Sequence, residues 1–194
     1  MASPVLHGLA GAGIAYALAA DARPPWQRAL RRAAPLMFAG SALANLPDLD
    51  YLPGLLSGEL NIAHQQVTHS LLWVVLASVA IWLAGRAWRP GLFGARAFWL
   101  ILLLIGSHLA IDLITADRSP PYGIPLWASF SEAHVQSPFT LLPAWEKTRL
   151  ADLARPVNLR PLGIELAAGS LLLLGGIIAK NSWARRHPAL ESAA

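Results

Sequence analysis

The feature that most constrains this chain is a long apolar run that contains two ionisable residues. From Ala97 to Ala116 the sequence reads AFWLILLLIGSHLAIDLITA. A run of about 20 apolar residues is long enough for a helix to cross the hydrocarbon core of a bilayer. His108 and Asp112 are spaced i, i+4 in this run, so both side chains lie on one face of the helix. Ionisable residues in such a helix normally face a protein interior and have a partner.

The His108–Asp112 pair has two interpretations. An imidazole and a carboxylate on one helix face supply half of a typical metal site. Alternatively, the pair ties two helices together without a metal. The position of the other histidines and carboxylates therefore decides between the two.

The overall composition is that of a membrane protein. The chain has 194 residues, of which 55% are hydrophobic and only 13% are charged, whereas a soluble domain has about 25% charged residues. We therefore predict a single membrane domain over residues 1–194. The net charge is +4, but the basic residues are scattered in short loops, so we expect no nucleic-acid partner. Cysteine is absent, which excludes thiolate metal ligands, disulfides and a cysteine nucleophile.

Five apolar runs predict an all-α integral membrane bundle of about five transmembrane helices. They cover approximately residues 4–20, 33–46, 64–84, 97–116 and 162–179. Basic residues are concentrated after the first and third runs and in the tail, 180–194, and the positive-inside rule assigns these regions to the cytoplasm. The N-terminus is then outside and the C-terminus cytoplasmic. The Pro-rich segment 117–161 is expected on the periplasmic side, covering the site.

This topology brings seven potential metal ligands to the outer leaflet. They lie at the outer ends of four runs, and they are His7, Asp48, Asp50, His64, His69, His108 and Asp112. Nitrogen and oxygen ligands without sulfur suit zinc, manganese or iron and are typical of hydrolytic sites. The set holds more candidates than one tetrahedral ion needs, which allows more than one divalent ion. We predict zinc, with manganese as the alternative. Of the six histidines, only His187 falls on the cytoplasmic side.

Asp48 and Asp50 alternate across one leucine, so an extended backbone would direct both carboxylates the same way. Such a pair can bridge two cations, or one carboxylate can act as a general base. His64 and His69 are predicted to begin the third helix, about 140° apart around its axis, so they need not bind one ion. Asp48 and His69 are accordingly the candidates for the base, for a ligand of a second metal or for an orienting group.

Each candidate also has a structural alternative. His7 could anchor a helix end, Asp48 and Asp50 could form a helix-ending turn, and His64 could cap a helix. Glu132 and His134 are expected to be solvated in the long loop. Glu165 is expected to have a structural role, for which an arginine could be the partner.

Together these motifs resemble a known family. His7, the LPDLDY segment ending at Tyr51, His64 with Thr68-His69-Ser70, and His108-x-x-x-Asp112 followed by GIPLW are similar to the YdjM-like family of bacterial inner-membrane proteins. The resemblance covers roughly residues 5–130 and implies a metal-dependent hydrolase. The chain departs from the family pattern at Gln65 and Gln66, where the family commonly has Arg-Gly.

The order of the ligands is also similar, more weakly, to that of zinc-dependent phospholipase C and the S1/P1 nucleases. The residues that match this order are His7, Asp50, His64, His108 and Asp112. In those enzymes helices surround three zinc ions that cleave phosphoester bonds. The later His-x-x-x-Glu/Asp of those enzymes is missing here, because His134 is followed by Val-Gln-Ser-Pro. One or two ions are therefore expected.

The sequence thus predicts a membrane-bound metal-dependent hydrolase that acts on a lipid or lipid-linked ester. A metal-activated water would attack the ester, and we expect a phosphoester rather than an acyl ester. The site would face the periplasm from the bacterial inner membrane, with a membrane lipid as substrate. Two alternatives remain open at this point. A metal-ion transporter would need polar groups along both leaflets, and a non-catalytic scaffold would keep its polar cluster without turnover.

Overall fold

The described part of the chain, residues 1–18, 26–118 and 120–186 of a computed structural model, is built from helices and irregular segments. Its α-helices are α1 (Pro4–Leu18), α2 (Trp26–Ala44), α3 (Leu52–Ser57), α4 (Leu71–Trp88), α5 (Ala95–Leu113) and α6 (Leu159–Arg186). No strand occurs in these ranges, where isolated β-bridges are the only extended pairing. The predicted all-α fold class is confirmed.

Helix α1 is the central helix of the bundle, packing against α2, α5 and α6. Small residues make this packing close, as expected for helices in a membrane. A Cβ atom added at Gly11 would lie 2.4 Å from the carbonyl oxygen of Gly40 in α2. A Cβ atom added at Gly13 would lie 2.9 Å from the carbonyl oxygen of Leu172 in α6. The glycines of α1 therefore bring three helix backbones together beneath the residues that carry the site.

Two neighbouring glycines of α6 allow a matched test of this packing. A Cβ atom at Gly176 would lie 2.4 Å from the backbone oxygen of Gly13, whereas one at Gly175 would meet nothing within 4 Å. Because a backbone contact cannot move aside, we expect Gly176→Ala to destabilise the fold by about 1–3 kcal/mol. Gly175→Ala should leave stability unchanged within about 0.5 kcal/mol. Unfolding of both variants in detergent micelles measures the difference, and equal stabilities would contradict the packing.

Three helical stretches are long and apolar enough to cross a membrane, namely Leu71–Trp88, Ala95–Leu113 and Pro156–Trp183. Two shorter apolar helices, Pro4–Leu18 and Ala33–Ala44, accompany them. A membrane bundle is therefore the architecture of the chain. The total of five spans and the sidedness of the termini stay predictions.

Helix α4, which corresponds to the third apolar run, begins later than the predicted start at about His64. It starts at Leu71, because Ser70 has an extended backbone and its hydroxyl accepts a hydrogen bond from the backbone N–H of Trp73, at 3.2 Å, which is a helix N-cap. His64 and His69 therefore precede the helix, and His69 ends a 3-10 turn (Val67–His69). The predicted 140° separation around a helix axis does not apply to them.

The extended backbone considered for the Asp48–Asp50 segment is wrong, and the alternative of a turn at the end of a helix holds. Residues Pro47–Tyr51 form a 3-10 turn after α2, since proline is favoured at the first position of a helical turn. With three residues per turn, the two carboxylates leave the backbone in different directions.

The start of the second helix also differs from the prediction. Helix α2 begins at Trp26 rather than near Ala33, and Pro35 lies inside it.

The irregular segment after α5 packs over the end of the bundle that carries the histidines. The backbone N–H of Leu60 donates to Thr148 at 2.9 Å, and that of Leu71 donates to Leu126 at 3.0 Å. Two 3-10 turns (Leu150–Ala154 and Pro156–Asn158) then lead into α6. Because α6 continues to Arg186, the first residues of the predicted cytoplasmic tail are helical. His187 and the rest of the tail lie outside the described residues.

Candidate metal centre

The structure brings all seven predicted residues together at one end of the bundle. His7 lies in the first turn of α1, and His108 and Asp112 lie in the last two turns of α5. The 3-10 turn after α2 supplies two aspartates, and the segment before α4 supplies two histidines. Most of these side chains are buried. They form two adjacent groups, and within each group the potential ligand atoms all lie within 4.8 Å of one another. The first group is Asp48, Asp50, His64 and His69, and the second is His7, His108 and Asp112.

Four atoms from the two groups form a compact set, which we call the central donor set. Its members are His69 Nε2, His108 Nε2, Asp48 Oδ1 and Asp112 Oδ2. The two nitrogens are 3.3 Å apart. His69 Nε2 lies 3.8 Å from the Asp48 oxygen and 3.7 Å from the Asp112 oxygen. His108 Nε2 lies 3.5 Å from the Asp48 oxygen and 3.2 Å from the Asp112 oxygen. A tetrahedral zinc ion with bonds of about 2.0–2.1 Å separates its ligand atoms by about 3.3–3.4 Å. The spacing of the central donor set therefore suits such an ion.

The orientation of His108 supports the same conclusion. Its Nδ1 lies 2.8 Å from the carbonyl oxygen of Ala44, and because a carbonyl only accepts, Nδ1 carries the proton. In the neutral ring, Nε2 then presents a lone pair to the carboxylate oxygen of Asp112. A backbone carbonyl that fixes the tautomer in this way is typical of metal-binding histidines.

Several buried polar atoms of the site have no hydrogen-bond partner within the described structure. They are both ring nitrogens of His7, Oδ2 of Asp48 and Nε2 of His64. His7 Nε2 lies 3.4 Å from Asp112 Oδ1, and the His7 ring stacks on that of His108 at 3.7 Å. Buried groups of this kind are normally paired. A cation would satisfy the carboxylate oxygen and, in each neutral imidazole, the ring nitrogen that carries no proton. The residues present therefore fit a divalent metal, with the His7 side of Asp112 as the place for a second ion.

Asp50 is already surrounded by donors. Its Oδ1 lies 2.8 Å from His64 Nδ1, and its Oδ2 accepts from Thr68 Oγ1 at 2.7 Å and from the backbone N–H of Gln65 at 3.1 Å. His69 Nδ1 lies 3.1 Å from the same Oδ2. Asp50 thus holds both histidines of the segment before α4, which leaves His69 Nε2 directed to the central donor set.

The electrostatics of this segment follow from burial and from the carboxylates. Burial lowers the pKa of His64 to about 4, which favours the neutral ring that binds metals. Burial acts in the same direction on His69, but hydrogen bonds with Asp48 and Asp50 outweigh it and raise the pKa of His69 to about 9. Burial works against ionisation of Asp50, yet the bonds with His64 and His69 bring the pKa of that carboxyl well below its usual range.

A cavity of about 550 Å³ adjoins the candidate metal centre. Its apolar wall contains five leucines, Leu49, Leu52, Leu55, Leu60 and Leu153. Asp48 lines the cavity and also belongs to the central donor set. Lys147 lies on the wall, where its Nζ donates to the Tyr51 hydroxyl and stands 4.8 Å from the centre of the Tyr51 ring. The Tyr51 ring in turn stacks on His64 at 3.6 Å.

Other predicted residues lie apart from the centre. Glu132 is exposed, and His134 contacts only the backbone oxygen of Glu132 among the hydrogen bonds of the described residues, at 3.1 Å. Glu165 is fully buried and structural, as expected, but its partners are the backbone N–H of Ser3 at 2.9 Å and the indole N–H of Trp145 at 2.8 Å rather than an arginine.

Sequence reasoning missed Tyr51, Lys147 and Thr68. Thr68 and Tyr51 lie inside the motifs that carried the prediction, next to His69 and Asp50, so their polar groups were a usable signal. Lys147 is one of two lysines in the chain and lies in the long loop, about 100 residues from Asp48. Only the packing of that loop over the site shows its position.

The chain matches the family model for the YdjM inner membrane protein over residues 1–185. The chain belongs to this family. A curated relative from Escherichia coli (strain K12), inner membrane protein YbcI, is 28% identical over 159 residues, covering 78% of this chain and 85% of the relative. No solved structure matches the chain significantly. The family resemblance predicted from the motifs is confirmed, and the chain is an inner-membrane protein by family.

Proposed function

We propose that this YdjM-family protein is a metal-dependent hydrolase that cleaves a lipid or lipid-linked ester at the periplasmic face of the inner membrane. The observation that carries the proposal is the position of Asp48, which the candidate metal centre and the cavity share. A reactive centre at the wall of a largely apolar cavity suits an amphiphilic substrate. Two adjacent groups of ligands favour a phosphoester over an acyl ester, because paired ions stabilise both oxygens of a phosphoryl displacement.

The protein's own residues have distinct roles in this proposal. His69, His108, Asp48 and Asp112 hold one divalent ion, zinc or manganese, and His7 with Asp112 contributes to a second. When bound, such an ion lowers the pKa of water and neutralises charge on the phosphoryl group. Asp48 Oδ2, which has no partner among the described residues, accepts the proton of the attacking water. Asp50 orients His64 and His69.

The distribution of charge supports the proposed sidedness of the site. Basic residues lie in the last turn of α4 (Arg86), between α4 and α5 (Arg89), in the first turn of α5 (Arg96) and in the last turn of α6. These are the helix ends opposite to the candidate metal centre. The positive-inside rule therefore favours a periplasmic site. The segment after α5, which packs over the centre, would then cover it from the periplasm and restrict access by water.

An activity screen tests the proposal. Purified protein in detergent, loaded with zinc or manganese, is offered a lipid phosphomonoester, a lipid phosphodiester and an acyl ester with the same chains. We expect hydrolysis of a phosphoester. We expect Asp48→Asn to lower kcat by about 100-fold or more, because the variant loses both the proton acceptor and a charged ligand of the metal ion.

His134→Ala is the matched control, since His134 is a loop histidine outside the centre and should retain the wild-type rate. Absence of hydrolysis of all three lipids by the metal-loaded wild type would overturn the proposal. An unchanged rate in Asp48→Asn would remove Asp48 from the reaction.

A further inference from the structure

The cavity beside the candidate metal centre contains polar groups that the hydrolytic chemistry does not use. Lys147 has no carboxylate partner among the salt bridges of the described residues, and its donor contact there is the Tyr51 hydroxyl. The cavity volume of about 550 Å³ lies within the range of about 300–1,000 Å³ that is typical of small-molecule sites. A cation at the wall of such a cavity, next to a metal centre, suits an anionic ligand.

Two further buried atoms of the cavity wall are unsatisfied. Ser3 Oγ and Asn45 Oδ1 have no hydrogen-bond partner in the described structure, and both residues line the cavity with Lys147. Ser3 is 8% exposed, so bulk water does not readily satisfy its hydroxyl. The serine hydroxyl can donate to an anionic oxygen and the asparagine oxygen can accept from a hydroxyl group. These groups add hydrogen bonding of both kinds to the positive charge.

The apolar side of the same cavity is open to the surface. Leu49, Leu52 and Leu55 line the cavity, yet they are 53%, 54% and 45% exposed. Leu52 and Leu55 are spaced i, i+3 and so lie on one face of α3. Leu56, in the same short helix, is 91% exposed. A cavity wall that continues as exposed apolar surface at the end of a membrane helix bundle suits a hydrocarbon chain.

We infer that the cavity binds a phosphate-bearing lipid, with Lys147 and the Tyr51 hydroxyl holding the phosphate oxygens and the lipid chain lying along Leu49, Leu52 and Leu55. The phosphate then lies between Lys147 and Asp48, where the proposed reaction takes place. The inference rests on the proposed function for the bond that reacts, but it concerns binding, which can be measured without turnover. It makes the substrate an anionic phospholipid or lipid phosphate rather than a neutral ester.

The test uses a short-chain lipid phosphonate, which resists hydrolysis, in titrations of the metal-loaded full chain in detergent. A neutral lipid alcohol with the same chains and inorganic phosphate are the two comparison ligands. We expect the wild type to bind the lipid phosphonate at least about tenfold more tightly than either. Lys147→Met should weaken binding of the lipid phosphonate about tenfold or more, as expected for loss of a charge-assisted hydrogen bond.

Lys147→Arg should restore most of the affinity, and Lys180→Met, at the other lysine, should bind as the wild type does. Leu52→Asp should weaken binding of the lipid phosphonate but not of inorganic phosphate. Equal affinity of the wild type and Lys147→Met for the lipid phosphonate would overturn the inference. So would equal affinity of the wild type for the phosphonate and the neutral alcohol. If inorganic phosphate binds as tightly as the lipid phosphonate, the lipid is excluded and the site is one for free phosphate.

These titrations separate the inference from the proposed function. Binding of the lipid phosphonate that depends on Lys147, in a protein that hydrolyses no phospholipid, would support the inference and remove the hydrolase. Hydrolysis with the same KM in the wild type and Lys147→Met would keep the hydrolase and overturn the inference. The metal content of each variant is measured in parallel, so that affinities are compared only between proteins that hold the same amount of metal as the wild type.

Discussion

Replacement of His108 by alanine is expected to lower the affinity for zinc at least about 100-fold. His108 Nε2 lies within 3.5 Å of one atom from each of Asp48, His69 and Asp112, so its removal opens the middle of the central donor set. Loss of an orienting partner alone costs about 10- to 100-fold in metal affinity, and loss of a ligand should cost more. A competition titration with a fluorescent zinc chelator measures the change.

His134→Ala is the control for this variant, because His134 lies in the loop outside the centre. It removes one histidine from the chain without touching the central donor set and should keep the wild-type affinity. If His108→Ala bound zinc as tightly as His134→Ala, the central donor set would not be the metal site. The His108–Asp112 pair would then be a contact between helices.

The second large effect is expected from Asp50→Asn. The two oxygens of Asp50 hold His64, Thr68 and the backbone of Gln65, and an amide would place N–H donors beside groups that already donate. We therefore expect the segment before α4 to loosen and zinc affinity to fall about 10- to 100-fold. Stability should also fall by about 1–3 kcal/mol, because buried donors lose their acceptor.

The matched control is Glu59→Gln, which makes the same chemical change at an exposed carboxylate in the segment between α3 and α4. Chelator competition gives the zinc affinities of both variants, and unfolding in detergent gives their stabilities. Wild-type affinity and stability in Asp50→Asn would contradict the orienting role assigned to Asp50. A loss in Glu59→Gln of the same size would show a general effect of charge rather than a specific one.

The membrane bundle and the set of residues gathered at one of its ends could be predicted from the sequence. Hydropathy and the alternation of basic and acidic connections placed His7 and the His108–Asp112 pair at one end. Helix length and charge are local properties of a sequence, and they are independent of how the side chains pack.

The local geometry was harder to predict because a few residues override the pattern. Pro47 begins a 3-10 turn where an extended backbone was considered, and Ser70 caps α4, which starts seven residues after the predicted start at about His64. Both effects reorient Asp50 and the histidines of the segment before α4. Their consequence is that Asp50 contacts both His64 and His69, although the two histidines are five positions apart in the sequence.

The contribution of the long loop could not be predicted from local pattern at all. Lys147 reaches Tyr51 across a sequence separation of 96 residues, and no periodicity signals such a contact. Trp145 likewise fixes the loop to α6 through Glu165. Non-local packing of this kind determines what borders the cavity, and hence which substrate the proposed site accepts.

The metal content of the purified wild-type protein, measured by plasma mass spectrometry after exposure to zinc and manganese at neutral pH, decides whether these residues form a metal centre. We expect one or two equivalents per chain in the wild type and in His134→Ala, and a loss of at least one equivalent in a His108→Ala/Asp112→Ala double variant. Wild-type protein that remained free of metal, or equal metal content in the double variant, would show that the cluster is a polar contact between helices.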